Sequence, residues 1–304
     1  MVTYTDASRY EILYDLKEGE YAEKAVGGIR TRTIRAGDSL EVEAYPLIHV
    51  DQSAVREKVR RRSTAAQIAL NLKNARKRMR RLLEANFGAG DLVLHPTFDY
   101  GFVDHGFANQ DDVEREWEEL GYPQTDADAR RIIRNFIARV KRLIRKKGGD
   151  PKEFKYLYVI ETTREPRPED PNPMPPRYHY HMVMSGMGLL TIDEINALWG
   201  YGYTKAQPVD MRFNGLAGLT NYITKQRRKT RRWAHSKNLR EPEVWVSDRK
   251  ISRRRAALVA SDVQAFGREI FEKLYPGYEL QEAEVNYSDF VAGAFIYARM
   301  RRRR

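Results

Sequence analysis

Two histidines separated by one residue carry the clearest chemical signal in this sequence. His179 and His181 lie within residues 177–184, a run of β-forming residues without glycine or proline that follows Pro175 and Pro176. Because successive side chains of a strand point to opposite faces, both imidazoles would lie on one face, where they can bind one metal ion. The flanking residues are aromatic or apolar, and only six histidines occur in the chain. We therefore interpret the pair as metal ligands rather than as solvent-exposed polar residues.

Glu161 and His95 are two further residues whose types suit a metal site or acid–base chemistry. Glu161 lies near the end of an apolar run, 154–163, and a buried carboxylate is costly unless it is paired. The proline-rich residues 164–176 are predicted to form a loop, which would return the chain antiparallel and bring Glu161 beside the histidines. His95 ends another apolar run and is a candidate ligand or base, although Pro96 favours a strand edge or a bend there.

The charge of the chain favours a polyanionic partner. The formal net charge is +12, and the excess lies in six basic clusters at 56–62, 73–81, 141–147, 225–232, 249–255 and 299–304. Guanidinium groups pair with phosphates, and counterion release drives such binding, so nucleic acid is favoured over a membrane surface. Cysteine is absent, which excludes disulfides and thiolate chemistry and agrees with a reducing cytoplasm. No apolar run approaches the roughly 18 residues of a membrane span, so we expect no membrane partner.

The remaining patterns predict an α+β fold, in which helices pack on a central antiparallel sheet. Strands are predicted at 91–98, 154–163 and 177–185, a hairpin at 28–48, and helices at 51–85, 126–147 and 191–199. The helix within 51–85 is very basic, and its polar face could contact phosphates. We therefore divide the chain into residues 1–85, with the hairpin and the basic helix, and residues 86–304, which form the main domain with a C-terminal extension.

A second constellation follows in the segment 215–226, where apolar residues recur at helical spacing. Tyr222 and Lys225 are three residues apart and would share one face of this helix. A nearby cation favours the phenolate form of a tyrosine, which makes the pair a candidate nucleophile with its activator. Alone, this spacing is also that of an ordinary surface pair on a helix.

The ordered combination of the two motifs resembles the HUH endonuclease superfamily, in particular the rolling-circle replication initiators of bacterial plasmids and phages. His179-Tyr180-His181 matches the family's histidine pair, and Asn221 to Lys225 matches its tyrosine motif, with one tyrosine rather than two. His95-Pro96 departs from the Thr-Leu pattern of the family's first strand. The resemblance covers roughly residues 55–300, with Tyr287 to Met300 in place of the closing strand of the family fold.

The resemblance implies a metal-dependent nickase that acts on single-stranded DNA at a replication origin in the cytoplasm of a bacterial host. Tyr222 would be the nucleophile that forms a 5′-phosphotyrosine, and Lys225 would assist it. His179, His181 and Glu161, with Glu165 as the alternative carboxylate, would hold Mn²⁺ or, more weakly, Mg²⁺. The residues expected to bind DNA are Arg227, Arg228, Lys229, Arg231, Arg232 and Trp233. The sequence contains no phosphate-binding loop of a helicase, so a host helicase and a host polymerase are expected partners.

Three other interpretations remain open at this point. A conjugative relaxase or a transposase of the same superfamily uses the same chemistry on a different DNA substrate. A non-enzymatic DNA-binding regulator would use the basic helices and leave the histidines structural. A metal-dependent hydrolase would use the histidine pair with water instead of Tyr222 as the nucleophile.

Overall fold

The computed structural model of the 304-residue chain describes residues 28–47, 65–99, 110–162, 177–209, 216, 233–288 and 291–303. The helices within these ranges are α1 (Ala65–Asn86), α2 (Gln110–Glu119), α3 (Asp126–Lys146), α4 (Ile192–Trp199), α5 (Arg253–Ser261) and α6 (Val263–Leu274). The strands are β1 (Ile29–Ala36), β2 (Ser39–Pro46), β3 (Leu92–Pro96), β4 (Tyr156–Thr162), β5 (Tyr178–Met184), β6 (Thr204–Pro208), β7 (Trp233–His235), β8 (Glu243–Ser247), β9 (Tyr278–Ser288) and β10 (Val291–Arg302). Among these helices, none is both long and apolar enough to cross a membrane.

The strands form two antiparallel five-stranded sheets, which confirms the predicted α+β class. The first, called the site sheet below, has the order β6-β3-β5-β4-β7, with β5 at its centre. The second sheet has the order β8-β1-β2-β10-β9. The described residues also divide into two compact units, one running from Asn86 to Arg240 and the other combining the residues up to Ala85 with those from Glu241 onward.

One face of the site sheet is covered by α3, as the apolar periodicity predicts. The buried side chains of this helix are Ala129, Ile132, Ile133, Phe136, Ile137, Val140 and Ile144. On β5 the same face presents Tyr180, which is fully buried and donates a hydrogen bond of 2.8 Å from its hydroxyl to the Ala129 carbonyl. Strand alternation then turns His179 and His181 toward the opposite face. The packing of α3 therefore decides which face of β5 is available for chemistry.

Local sequence signals fix the ends of two helices in the unit that contains the site sheet, α3 and α4. Thr125 caps α3 and forms a capping box with Asp128, and Thr191 does the same for α4 with Glu194. Gly200 ends α4 in the left-handed conformation, with a φ of 75°. The predicted helices at 126–147 and 191–199 are thus confirmed to within a residue.

The predicted N-terminal hairpin, β1 and β2, belongs to the second sheet. The C-terminal strand β10 pairs with β2 along Ile296–Ala44 to Arg301–Ser39, because alternate side chains of both strands bury against α5 and α6. The family resemblance led us to expect that the segment from Tyr287 to Met300 closes the site sheet. This expectation is wrong, because the segment belongs to the second sheet. The compact units differ from our division into 1–85 and 86–304 for the same reason, since the residues from Glu241 onward group with the hairpin.

Part of the basic face of α1 is paired within its own unit. Glu41 on β2 is 2% exposed, and it accepts hydrogen bonds from Arg81 at 2.7 Å and from Arg80 at 2.8 Å. Burial alone would raise the pKa of Glu41, and the charges of Arg81 and Arg80 outweigh it and lower that pKa. These two arginines neutralise a buried carboxylate, which is a role that a basic run alone does not indicate.

Truncation of Phe136 tests the packing that fixes the faces of the site sheet. Phe136 is fully buried and meets Trp199 at 5.5 Å between ring centroids. We expect Phe136→Ala to lower the free energy of unfolding by about 3–5 kcal/mol, because it leaves a cavity in the core. Leu120→Ala is the control, since Leu120 is exposed, and should change stability by less than about 0.5 kcal/mol. Equal effects of both variants in urea denaturation would contradict this packing.

Candidate metal centre

The pairing of three strands brings the candidate residues together on the face of β5 opposite α3. Glu161 on β4 is directly opposite His179, and Thr97, just beyond β3, bridges to His179 from the other side. Residues opposite each other in an antiparallel pair point to the same face. Glu161 therefore lies on the face of His179 and His181, where the antiparallel return of the chain predicts it.

Both imidazoles converge on one oxygen of this carboxylate. Glu161 Oε2 is 3.0 Å from His179 Nε2 and 2.7 Å from His181 Nε2. The potential ligand atoms of the three residues all lie within 4.8 Å of one another. In the part of the chain that the structure describes, this is the one group of three or more histidine or acidic side chains with that spacing.

The site is only partly exposed to water, so the interactions between its charged and polar groups are weakly screened. The side chains of His181, Glu161 and His179 are 9%, 15% and 18% exposed. Burial by itself would raise the pKa of Glu161, and the hydrogen bonds from His179 and His181 overcome this effect and lower that pKa to about 2. The carboxylate is thus held ionised far below neutral pH.

The donor set fits a divalent cation. Two imidazole nitrogens and one carboxylate oxygen are ligands that Mn²⁺ accepts readily and that Mg²⁺ accepts less well. A cation at this position would take the lone pairs of both Nε2 atoms, in place of the protons that they now donate to Glu161. Three protein ligands leave further coordination positions for water or for a substrate oxygen, as in catalytic rather than structural metal sites.

His95 contacts His181 on the side of the ring that is remote from Glu161. Its Nδ1 is 2.9 Å from Nδ1 of His181, and the two rings are nearly perpendicular, with an interplanar angle of 86°. His181 thus contacts His95 through Nδ1 and Glu161 through its other ring nitrogen, Nε2. Burial, together with the positive charge that His181 and Lys205 can carry, lowers the pKa of His95 and so favours the neutral form of this ring. His95 therefore joins the cluster, yet it lies outside the group of three ligand atoms.

Two rows of side chains cross the site sheet through the centre. One row contains Tyr203, Thr97, His179 and Glu161, since the Thr97 amide donates to the Tyr203 carbonyl at 2.8 Å. The adjacent row runs from Lys205 through His95 and His181 to Val159 and Trp233.

Three of the four residues that end these rows are aromatic or basic, and the fourth is Glu161. Tyr203 is 72% exposed, and Lys205 next to it is also exposed. Trp233 lies opposite Val159 and stacks on His235 at 5.6 Å between ring centroids. The sequence marks these aromatics only as neighbours of basic runs. Their alignment with the histidines depends on the register of strands that are far apart in the chain.

Most of the other predicted site residues lie outside the described residues. They are Tyr222, Lys225, Arg227, Arg228, Lys229, Arg231 and Arg232, together with the alternative carboxylate Glu165. Their assignments stay predictions from the sequence. Of the predicted DNA-binding residues, Trp233 is the one that the structure describes.

Comparison with protein families gives one match. Residues 119–227 match a family of replication-associated proteins, described by the name ORF2. Searches of curated proteins and of solved structures found no match. The matched segment is a little over a third of the chain, and it contains Glu161, His179, His181 and the predicted tyrosine helix. This similarity supports a replication-associated protein that interacts with DNA.

The pKa of Glu161 predicts a characteristic pH dependence of stability in the metal-free protein. The folded value of about 2 is below the ordinary value of 4.5, so the ionised carboxylate stabilises the fold above pH 4.5. This contribution, about 2–3 kcal/mol, should decrease as the pH falls from 4.5 toward 2.

Urea denaturation with a chelator present should therefore show a deficit for Glu161→Gln at pH 7 that shrinks below pH 4.5. The exposed Glu153→Gln should follow the unchanged protein at every pH. A deficit of Glu161→Gln that stays constant between pH 7 and pH 3 would mean that the carboxylate is not held by the imidazoles.

Proposed function

We propose that the chain is a metal-dependent, site-specific single-stranded DNA nickase that initiates rolling-circle replication. The observation that carries this proposal is the convergence of His179 and His181 on Glu161, within a segment similar to replication-associated proteins. The net charge of +12 suits a DNA substrate. A relaxase or a transposase would share the chemistry, but the family similarity favours replication.

Each residue of the centre has a role in this proposal. Glu161, His179 and His181 hold the cation at a partly exposed position, where a phosphate can approach from solvent. A bound divalent ion would supply positive charge that stabilises the phosphate oxygens in the transition state. The fixed carboxylate and imidazoles keep that charge in place, so little reorganisation is needed during the reaction.

Tyr222 supplies the nucleophile in this proposal. Its phenolic oxygen forms a bond to the phosphorus of the scissile phosphodiester, while the bond from phosphorus to the 3′-oxygen breaks. The phenolic proton is released, and the departing 3′-oxygen takes up a proton. Lys225, which the sequence predicts to lie one helical turn away, would favour the phenolate or orient the phosphate.

The products explain the expected partners. The 5′-phosphotyrosine conserves the energy of the phosphodiester bond, so a later attack by a 3′-hydroxyl can rejoin strands without ATP. The free 3′-hydroxyl is a primer for a host polymerase. A host helicase would separate the strands, because the sequence lacks the phosphate-binding loop of a helicase motor.

The two rows across the site sheet suggest a path for single-stranded DNA. Tyr203 offers an exposed ring for base stacking, and Lys205 offers a cation for a phosphate. Tyr203 immediately precedes β6 and Lys205 lies on it, and their partners on the β3 side, Thr97 and His95, lead directly to the centre. On the other side, Trp233 and the basic residues 227–232 that precede it would continue the contact.

Substitution of Tyr222 tests the nucleophile. Labelled single-stranded oligonucleotides that cover the replication origin, incubated with Mn²⁺, should give a covalent protein–DNA adduct in denaturing gels. Tyr222→Phe should give no adduct, because the ring lacks the attacking oxygen. Tyr203→Phe is the matched control and should retain the adduct. His181→Ala should lose Mn²⁺-dependent cleavage while Tyr222 is intact.

Two outcomes would overturn this proposal. Cleavage without an adduct by Tyr222→Phe would indicate that water is the nucleophile and that the chain is a hydrolase. Salt-sensitive DNA binding with neither cleavage nor a metal effect would indicate a regulator.

Truncation of Tyr203 tests the proposed DNA path. Loss of one stacked base costs about 1–3 kcal/mol, so Tyr203→Ala should weaken the binding of single-stranded DNA by roughly 5- to 150-fold. Tyr287→Ala provides the control, because Tyr287 is 68% exposed but belongs to the second sheet. Fluorescence anisotropy with a labelled oligonucleotide measures both. The path would be wrong if the two variants weakened binding equally.

A further inference from the structure

We propose that His95 is a positioning residue, which orients His181 and fixes its tautomer so that the Nε2 lone pair points into the metal centre. This inference rests on the metal centre of the proposed function. The inference goes beyond the proposed function, because it assigns His95 a role that acts through His181 and not as a metal ligand. The observation that carries it is the contact of 2.9 Å between the Nδ1 atoms of His95 and His181.

The contact between two nitrogens of the same kind requires one donor and one acceptor. A single hydrogen lies between the Nδ1 atoms, and either ring can carry it. If His181 carries it, then neutral His181 has a free lone pair on Nε2, and His95 accepts on Nδ1 while its own hydrogen is on Nε2. If His95 carries it, then neutral His181 keeps a hydrogen on Nε2, and that nitrogen is not a metal ligand.

Metal ligation selects the first of these arrangements. In the metal-free site, His181 Nε2 lies 2.7 Å from Glu161 Oε2, a distance at which it donates its hydrogen to the carboxylate. With a cation bound, His181 would give up its Nε2 hydrogen to solvent, the hydrogen between the two Nδ1 atoms would pass from His95 to His181, and His95 would take up a hydrogen on its own Nε2. Histidines that ligate metals almost always donate their other ring N–H to such a partner, which raises their basicity and fixes the ring.

The strand pairing holds His95 in place for this role. Leu94 pairs with Met182 and Thr97 bridges to His179, and the same register places His95 opposite His181. On its other side β3 pairs with β6, through His95 and Lys205. A ring fixed between two paired strands resists rotation, and its nearly perpendicular contact restrains the plane of His181 as well.

Direct ligation by His95 is the rival role, and the geometry disfavours it. The Nδ1 atom of His95 is directed at the nitrogen of His181 that faces away from Glu161. The two nitrogen lone pairs of an imidazole diverge, so an ion bound at His181 Nε2 lies on the far side of that ring from His95. A fourth ligand would have to approach from the side of Glu161 and His179.

Two substitutions separate a positioning role from ligation. His95→Asn places an amide oxygen close to the position of Nδ1, so it keeps an acceptor for His181. His95→Leu fills a similar volume and offers none. Isothermal titration of the full chain with Mn²⁺ alone should show affinity reduced about 10- to 100-fold by His95→Leu and by less than about threefold in His95→Asn. His235→Leu, on the outer strand β7, should bind Mn²⁺ like the unchanged protein.

The tautomers can also be read directly, without a variant. In the ¹⁵N spectrum of the unchanged protein loaded with diamagnetic Zn²⁺, His181 should be protonated on Nδ1 and His95 on Nε2. This readout remains decisive if His95→Leu does not fold.

The outcomes distinguish this inference from the proposed function. Unchanged Mn²⁺ affinity in His95→Leu, equal losses in both variants, or a Zn²⁺-loaded His181 without a hydrogen on Nδ1 would each overturn the role of His95 and leave the metal centre intact. Failure of the unchanged protein to bind Mn²⁺ would instead remove the metal centre, and this inference with it.

Discussion

The shared carboxylate oxygen of Glu161 is the contact on which the rest of this site depends. Two imidazoles on one strand of the site sheet approach it at 2.7 and 3.0 Å, although burial alone would favour a neutral acid. Such an arrangement is costly unless all three groups are paired. It forms because Glu161 and His179 are opposite each other in the pairing of β4 with β5. A shift of one residue in this register would move the carboxylate to the other face of the sheet.

The fold keeps that register by dividing the faces of β5 between two tasks. Tyr180 is buried against α3 and its hydroxyl is bound to the Ala129 carbonyl, so the strand is fixed from its core face. His179 and His181 are then presented on the other face without any special backbone conformation. Precision in the site thus derives from the packing of a helix that contributes no ligand, which is typical of functional sites built on regular elements.

Local sequence patterns predict much of this arrangement. The contacts that depend on pairing between distant parts of the chain could not be predicted from the sequence. Period-two alternation places His179 and His181 on one face, and an antiparallel return of the chain after Glu161 predicts that carboxylate beside them. His95 is different, because β3 meets β5 only through pairing across more than eighty residues, and nothing near His95 in the sequence specifies that partner. For the same reason the sequence did not predict that β10 pairs with the N-terminal hairpin. Nor did it predict that Arg81 pairs with the buried Glu41, which is forty residues away. Tyr222 remains a prediction from sequence, with its partner Lys225.

The central claim is that both histidines bind one divalent cation. Electron spin-echo envelope modulation of the Mn²⁺-loaded full chain reports directly on nitrogen nuclei bound to the metal. The account predicts modulation from two imidazole nitrogens, reduced to one in His179→Ala and unaffected in His235→Leu. Modulation without any nitrogen contribution, or unchanged modulation in His179→Ala, would contradict the account.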